Sequence, residues 1–295
     1  RYDEGTKTWF NPVMGLGEKA RFPTTASTQD VFNTLTGTKG TGFEPYRQVL
    51  VAEGIAKGDD EFLKALEGLK PQGRTIDAVR HEMKELYRSK LLAKMTTPDE
   101  AAMRLRYPDL DWAKNSQDAL RQASHQEMLR LTQGLPPSDR GNIAEAWYKT
   151  TYAPSAAEHV RIPSDEIAKL GSTHGADRIP DLVEGNTLRD LKTISGKMGK
   201  HDLEQFDDFM KIGHKPGGFP VTAGGNTTNI QRVVYTMTVP DGVRANASWM
   251  VKQLNDYPNL AFEIFNNAGS RKMVTKANAH ELAEPALSKW LSATK

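Results

Sequence analysis

One stretch decides the predicted fold and site: Arg178-Ile-Pro-Asp181-Leu-Val-Glu184-Gly-Asn-Thr-Leu-Arg-Asp190-Leu-Lys192-Thr193. A Pro-Asp turn is followed nine residues later by Asp-x-Lys within a β-prone run. Because alternate side chains of a strand share one face, Asp190 and Lys192 are predicted to point the same way. The pattern therefore places a carboxylate beside an ammonium group.

Asp181 and Asp190 are candidate ligands for a divalent cation. The preceding Pro180 favours an extended or turn geometry that exposes the Asp181 carboxylate at a strand edge. Mg²⁺ prefers carboxylate and water oxygens, and it needs only one or two protein carboxylates together with a substrate phosphate. Lys192 is then placed to orient or deprotonate an attacking water, or to stabilise charge on the phosphate. Taken alone, the pattern also fits a hairpin cap at Asp181 and an exposed ion pair at Asp190 and Lys192.

A third candidate carboxylate lies upstream, in the predicted helix that begins Gly141-Asn-Ile-Ala-Glu145-Ala-Trp-Tyr148. Ile143 and Trp147 form one apolar stripe of this helix, and Ala144 and Tyr148 form another. Glu145 lies between the stripes and is drawn towards the interior, where a carboxylate is costly unless it is paired or liganded. The alternative is a glutamate at the solvent edge.

A downstream helix, predicted over about 202–212, carries the polar candidate Gln205. Leu203, Phe206, Phe209 and Met210 form its predicted core-facing stripe. Gln205 lies next to this stripe and is able to donate to a phosphate or a base, or simply to cap the strand edge.

Composition excludes several classes of site. The chain has 295 residues, a net charge of +2 and no cysteine, which rules out disulfides, thiolate zinc sites and Cys nucleophiles. No apolar run approaches the roughly 20 residues of a membrane span. The sequence also lacks the Walker A, G-x-S-x-G and H-E-x-x-H motifs. His174 and Asp177 are expected to have ordinary loop roles.

The predicted secondary structure changes at Leu135-Pro-Pro-Ser-Asp139, where two prolines end one helix before the next helix begins. We therefore predict a mostly helical region over 1–135 and a mixed α/β domain over 136–295. An extended lead-in precedes the first helix, and Thr97-Pro98-Asp99-Glu100 predicts a helix start with Thr97 as its N-cap. Beyond 139 we expect a helix, short strands near 160–194, the Gln205 helix, a Gly/Pro-rich loop over 213–225, then a strand, a helix, a strand and a terminal helix.

The ordered set of helix-Glu145, Pro-Asp181, Asp190-x-Lys192 and helix-Gln205 resembles the PD-(D/E)xK nuclease superfamily, which has the restriction-endonuclease-like fold. It is most similar to the versions at the C-terminal ends of bacterial polymorphic toxins, including Rhs and type VI secretion effectors. The resemblance covers roughly 140–265 and leaves 1–135 unexplained. It implies a core of mixed central sheet flanked by helices, preceded here by the helical region.

The resemblance also implies roles for individual residues. Glu145, Asp181 and Asp190 correspond to the metal ligands, with Mg²⁺ or Mn²⁺ as cofactor, and Lys192 corresponds to the catalytic lysine. Gln205 corresponds to the glutamine of a Q-x-x-x-Y motif, in which Phe209 replaces the tyrosine. The acidic residue of the x-K pair is Asp190 rather than the commoner Glu.

The function that these residues and the resemblance predict is metal-dependent hydrolysis of phosphodiester bonds, with DNA preferred over RNA as the substrate. The toxin resemblance adds secretion through delivery machinery, action in the cytoplasm of the target cell and a cognate immunity protein. A module that retains the fold but only binds nucleic acid or protein is the alternative. A structural delivery domain, in which the helical half does the work, is a third.

Overall fold

The structure is a computed structural model that describes residues 20–37, 42–97, 99–223 and 225–293, together with the backbone of two short strands near the start of the chain. These strands, β1 (Tyr2–Asp3) and β2 (Thr8–Trp9), pair antiparallel. Most of the predicted lead-in, residues 38–41 and Pro98 lie outside the described residues. The chain forms two compact units, one of residues 1–94 and 131–136 and the other of residues 95–130 and 137–295.

The first unit is helical. Its helices are α1 (Thr28–Gly37), α2 (Glu44–Ala52), α3 (Asp59–Leu69) and most of α4 (Ile76–Thr96). Phe43, Phe62 and Tyr87 are fully buried and meet ring to ring, with centroids 5.0–5.8 Å apart. Such aromatic contacts add to the burial of apolar area that holds the helices together.

The second unit is a mixed sheet packed between helices. Its helices are α5 (Glu100–Arg106), α6 (Ser116–Thr132), α7 (Pro137–Tyr152), α8 (Ser164–Ala168), α9 (Lys200–Gly213), α10 (Pro240–Asp256), a 3-10 helix (Lys276–Leu282) and α11 (Ala286–Leu291). Its strands are β3 (Leu182–Glu184), β4 (Thr187–Lys192), β5 (Phe219–Ala223), β6 (Asn226–Ile230), β7 (Arg232–Met237), β8 (Leu260–Phe265) and β9 (Arg271–Val274).

The central sheet has the order β3-β4-β7-β8-β9, in which β4, β7 and β8 are parallel and the two edge strands are antiparallel. One face, which carries Leu188, Val233 and Phe262, packs against α9 and α10 in the main apolar core. On the other face, Phe265 stacks with His125 of α6 and meets Trp147 of α7. Because helices cover both faces of the sheet, nearly all residues of the parallel strands β7 and β8 are buried.

The predicted fold class is confirmed as a mixed α/β fold, with a five-stranded mixed sheet flanked by helices and a helical N-terminal region. The restriction-endonuclease-like fold and the assignment of a nuclease domain to 136–295 stay predictions. Among the described helices, none combines the length and apolar character that a membrane span requires.

Several local predictions were wrong. The segment over 213–225 is not all loop, because β5 and β6 form a hairpin whose polar threonines and asparagines hid its alternation. The N-cap of α5 is Asp99 rather than Thr97, since the Asp99 carboxylate accepts the Ala101 N–H at 2.9 Å. α7 begins at Pro137, a turn before the predicted start at Gly141. Leu203 is 40% exposed, so it lies outside the core stripe of α9.

Candidate active site

Asp190 and Lys192 lie on the same face of β4, as the alternation predicts, and both are buried. Asp190 is 1% exposed and Lys192 is 9% exposed. The plain alternative of an exposed ion pair is therefore wrong for these two residues. They occupy the sheet face covered by α9 and α10, whereas Arg189 points to the face covered by α7.

The Lys192 ammonium group is held by three acceptors. Its Nζ lies 2.9 Å from Asp190 Oδ2 and 3.1 Å from Asp202 Oδ1, and it donates to Gln205 Oε1 at 2.8 Å. Burial by itself lowers the pKa of Lys192, but the charges and hydrogen bonds of Asp190 and Asp202 outweigh it, so the pKa lies above its usual value. Lys192 is thus a cation at neutral pH, which suits it to stabilise negative charge rather than to remove a proton.

The first two turns of α9 supply Asp202 and Gln205, which are three residues apart and share one side of the helix. Asp202 also accepts the N–H of the N-cap residue Gly199 at 3.1 Å, which helps to fix where the helix begins. Gln205 was predicted to donate to a phosphate or a base or to cap the strand edge, which stays a prediction; in the structure its carbonyl oxygen accepts from Lys192. Asp202 was not predicted as a site residue, although an acidic residue in the first turn of a helix that follows the Asp-x-Lys strand was a usable signal.

The loop between β4 and α9 is anchored by α10. Asn246 accepts the Met198 N–H at 3.0 Å and donates to Gly196 O at 2.9 Å and Gly242 O at 2.8 Å. A Cβ on Gly242 would lie 2.0 Å from Ile194 O, so only glycine permits this close approach. These contacts hold the first turn of α9 over Lys192.

Asp181 lies directly before β3, in line with Asp190 on the neighbouring strand. The pairing of Leu182 with Arg189 continues to these two aspartates, which makes them cross-strand neighbours. Asp181 Oδ2 accepts the Leu191 N–H at 2.5 Å, so the carboxylate is partly buried rather than open at the strand edge as predicted. Burial, together with the charges of Asp190 and Glu145, raises the pKa of Asp181 well above its usual range.

Glu145 reaches the same cluster from α7, where it lies partly buried beside the fully buried Ile143, Ala144, Trp147 and Tyr148. Burial and then the charge of Asp190 raise the pKa of Glu145, while its interaction with the Asp181 side chain lowers it. Neighbouring carboxylates repel each other, so a proton or a bound cation would stabilise this group of acidic side chains. α7 is anchored to the sheet by Tyr148, whose hydroxyl donates to Glu263 Oε2 at 2.6 Å.

The cluster has the ligand chemistry of a site for a hard divalent cation. Four acidic groups interact with the Lys192 ammonium group or with one another: Glu145, Asp181, Asp190 and Asp202. Burial raises the pKa of Asp190 despite the nearby ammonium group. Within the described residues, Asp190 Oδ2 makes the ion pair with Lys192 but no hydrogen bond of acceptable geometry. An added cation would relieve this excess of negative charge.

The spacing of the ligand atoms limits how such a cation can be held. In the described part of the chain, only His174, Asp207 and Asp208 bring three His, Asp or Glu ligand atoms within 4.8 Å of one another. The predicted trio of Glu145, Asp181 and Asp190 is therefore more widely spaced. Mg²⁺ that uses two protein carboxylates and completes its shell with water and phosphate does not require all three.

The compact group of His174, Asp207 and Asp208 is already neutralised by cations. Arg178 Nε donates to Asp208 Oδ2 at 2.7 Å in a buried ion pair, and Lys211 pairs with Asp207. Arg178 precedes Asp181 by three residues, so its bond to α9 helps to position the Asp181 segment. We assign this group a structural role.

Tyr235 is a neighbour of the site that the sequence patterns missed. It pairs with Asp190 across β4 and β7, is fully buried, and its hydroxyl has no hydrogen-bond partner among the described residues. Burial and the charges of Asp190 and Asp181 raise its pKa well above the usual value. Only the strand register could have revealed it, because β4 and β7 are distant in sequence.

Comparison with known proteins identified no relative: no family model matches the chain, and neither a curated protein nor a solved structure is detectably similar to it.

Proposed function

We propose that this protein is a metal-dependent nuclease that hydrolyses phosphodiester bonds, with DNA as its main substrate. The observation that carries the proposal is the meeting of Glu145, Asp181 and Asp190 around Lys192, although these residues come from a helix, a loop and a strand. Raised carboxyl pKa values at one buried cluster are typical of functional sites. The order of these residues along the chain is the order of the family that the sequence resembles.

Each residue has a distinct part in this proposal. Asp181 and Asp190 hold Mg²⁺ or Mn²⁺, with Glu145 as a further ligand directly or through water. The bound ion would polarise the scissile phosphate and lower the pKa of a coordinated water. Lys192, held as a cation by Asp190 and Asp202, stabilises the negative charge that develops on the phosphate. Gln205 keeps the Lys192 ammonium group in place.

The toxin resemblance extends the proposal to biology. The protein would be an effector that secretion machinery delivers into competitor cells, where it acts in the cytoplasm. A cognate immunity protein would protect the producer, and the helical region over 1–135 would connect the nuclease to the delivery machinery.

One observation favours a second candidate, a module that binds nucleic acid or protein without cutting. All three contacts of the Lys192 ammonium group are internal, as they would be in a purely structural cluster. Such a module would bind without metal, and its binding would not depend on Lys192.

A cleavage assay separates the two candidates. Purified protein is incubated with plasmid DNA and with RNA, in Mg²⁺, in Mn²⁺ and in EDTA. We expect metal-dependent cleavage by the wild type. Its rate should fall at least about 100-fold in Lys192→Ala and in Asp190→Ala, because the loss of a group that stabilises charge in the transition state has an effect of this size. Lys289→Ala is the matched control, because Lys289 is an exposed lysine on α11. Intact DNA and RNA with wild-type protein in both metals would refute the nuclease.

A further inference from the structure

A polar cavity lies at the amino-terminal ends of the parallel strands, the ends opposite to the one that carries Lys192. It has a volume of about 540 Å³, within the range of small-molecule sites. Its walls come from Asn186 before β4, the loop over 213–218 after α9, and the residues over 258–260 that lead into β8. Asn186 precedes Asp190 by four residues, or about 13 Å along a strand. The cavity is therefore separate from the carboxylate cluster.

The charge of this cavity is opposite to that of the carboxylate cluster. Its lining includes Lys215 and Arg232 but no Asp or Glu. In the described part of the chain, neither cation has a carboxylate oxygen within 4 Å, whereas Lys192 has two such partners. Lys215 Nζ lies over the Phe219 ring, 5.2 Å from its centroid. Two cationic residues without a carboxylate partner thus line the same polar space.

The wall that carries Lys215 is held close to the sheet by glycines. Gly217 and Gly218 have φ of +79° and +86°, a region that other residues rarely adopt. A Cβ on Gly218 would lie 2.7 Å from Asn229 Cβ, and one on Gly213 would lie 2.5 Å from Val233 Cγ2. The backbone between them therefore has little freedom, and Lys215 projects from a fixed loop.

Uncharged hydrogen-bonding groups complete the lining. The amide side chains of Asn186, Gln231 and Asn259 border the cavity, and each offers both donors and acceptors. Asn186 donates to Gln231 Oε1 at a long 3.4 Å, and Asn259 donates to Gly213 O at 3.4 Å. Groups with such weak internal bonds can exchange them for bonds to a ligand.

We propose that this cavity binds the phosphate group of a nucleotide, with Arg232 and Lys215 on the phosphate and the amide side chains on the polar remainder. An arginine fork and a lysine together match a phosphate in charge and in donors. The volume exceeds that of a bare ion, so the phosphate belongs to a larger molecule, either a free nucleotide or one unit of a nucleic-acid strand. The inference does not depend on the nuclease proposal, because it uses none of the carboxylate cluster.

The test is isothermal titration calorimetry in EDTA with three probes: inorganic phosphate, AMP and a short oligothymidylate. We expect wild type to bind AMP with a Kd of about 1 mM or tighter, and inorganic phosphate more weakly. Arg232→Gln and Lys215→Gln should each weaken AMP binding about 10-fold, as for one lost charge-assisted contact. Lys289→Gln removes an exposed charge outside the cavity and should bind as wild type does.

The probes also identify the source of the phosphate. If the oligonucleotide binds more tightly than AMP and loses that affinity in Arg232→Gln, the ligand is a nucleic-acid strand. If only AMP binding depends on Arg232, the ligand is a free nucleotide. Asp181→Asn, which alters the carboxylate cluster but is expected to leave the protein folded, should keep the binding in either case, which separates this site from the nuclease. The inference is overturned if no probe binds wild type at about 10 mM, or if Arg232→Gln and Lys289→Gln bind alike.

Discussion

Replacing Lys192 by Met tests the electrostatics of the candidate site without any assumption about activity. Methionine keeps an unbranched chain of similar length but removes the ammonium group that Asp190 and Asp202 share. The Lys192 side chain is 11% exposed and that of Asp190 is 1% exposed, so water replaces little of the lost interaction. Gln205 Oε1 also loses its donor.

The expected cost follows from this burial. Removing one partner of a buried ion pair destabilises a fold by about 3–5 kcal/mol, because the other charge stays buried and unpaired. Protonation of Asp190 limits that cost. Lys192 lowers the pKa of Asp190, so without it the pKa of Asp190 rises further above its unfolded value. When the pKa of a carboxyl group is higher in the folded state than in the unfolded state, the free energy of unfolding falls as the pH rises from the unfolded pKa towards the folded pKa. Lys192→Met should therefore lose more stability at pH 8 than at pH 5.

The measurement is urea unfolding in EDTA at both pH values. The control is Lys200→Met at the start of α9, because the Lys200 side chain is 91% exposed and its Nζ lies 3.7 Å from Glu204 Oε1. We expect the control to change the free energy of unfolding by less than about 0.5 kcal/mol. A loss below about 1 kcal/mol at pH 8 for Lys192→Met, or an equal loss at both pH values, would refute the reasoning.

Two further changes probe the same region. Asp181→Asn keeps an acceptor for the Leu191 N–H but removes a carboxylate whose pKa is raised. It should stabilise the metal-free protein by about 0.5–2 kcal/mol at pH 8, and by less near pH 4, where Asp181 is protonated. A melting temperature in EDTA at pH 8 that is equal to or below that of the wild type would contradict this prediction. Gly242→Ala should cost about 1–3 kcal/mol, because its Cβ would meet Ile194 O at 2.0 Å. Gly196→Ala is the control, because a Cβ at Gly196 would have no atom within 4 Å. Equal denaturation midpoints for the two variants would show that the contact between Gly242 and Ile194 is not tight.

The sequence predicted best where structure depends on neighbours along the chain. The helices over 27–133 and the strand around Asp190 follow from local periodicity, and so does the shared face of Asp190 and Lys192. The β5–β6 hairpin was missed because its strands are polar and its buried residues, Phe219, Val221 and Ile230, are few. Burial by distant parts of the chain, rather than periodicity, makes it a hairpin.

The site divides in the same way. The sequence by itself determined which charged groups are available, their order along the chain and the common side of Asp190 and Lys192, because a strand repeats every two residues whatever surrounds it. Only the tertiary structure decided that Asp202 and Tyr235 adjoin them, that Lys192 is held as a cation, and that Lys215 and Arg232 face one cavity. These contacts depend on strand register and helix docking between segments up to 45 residues apart. A local sequence pattern does not determine the free energy of contacts between such distant segments.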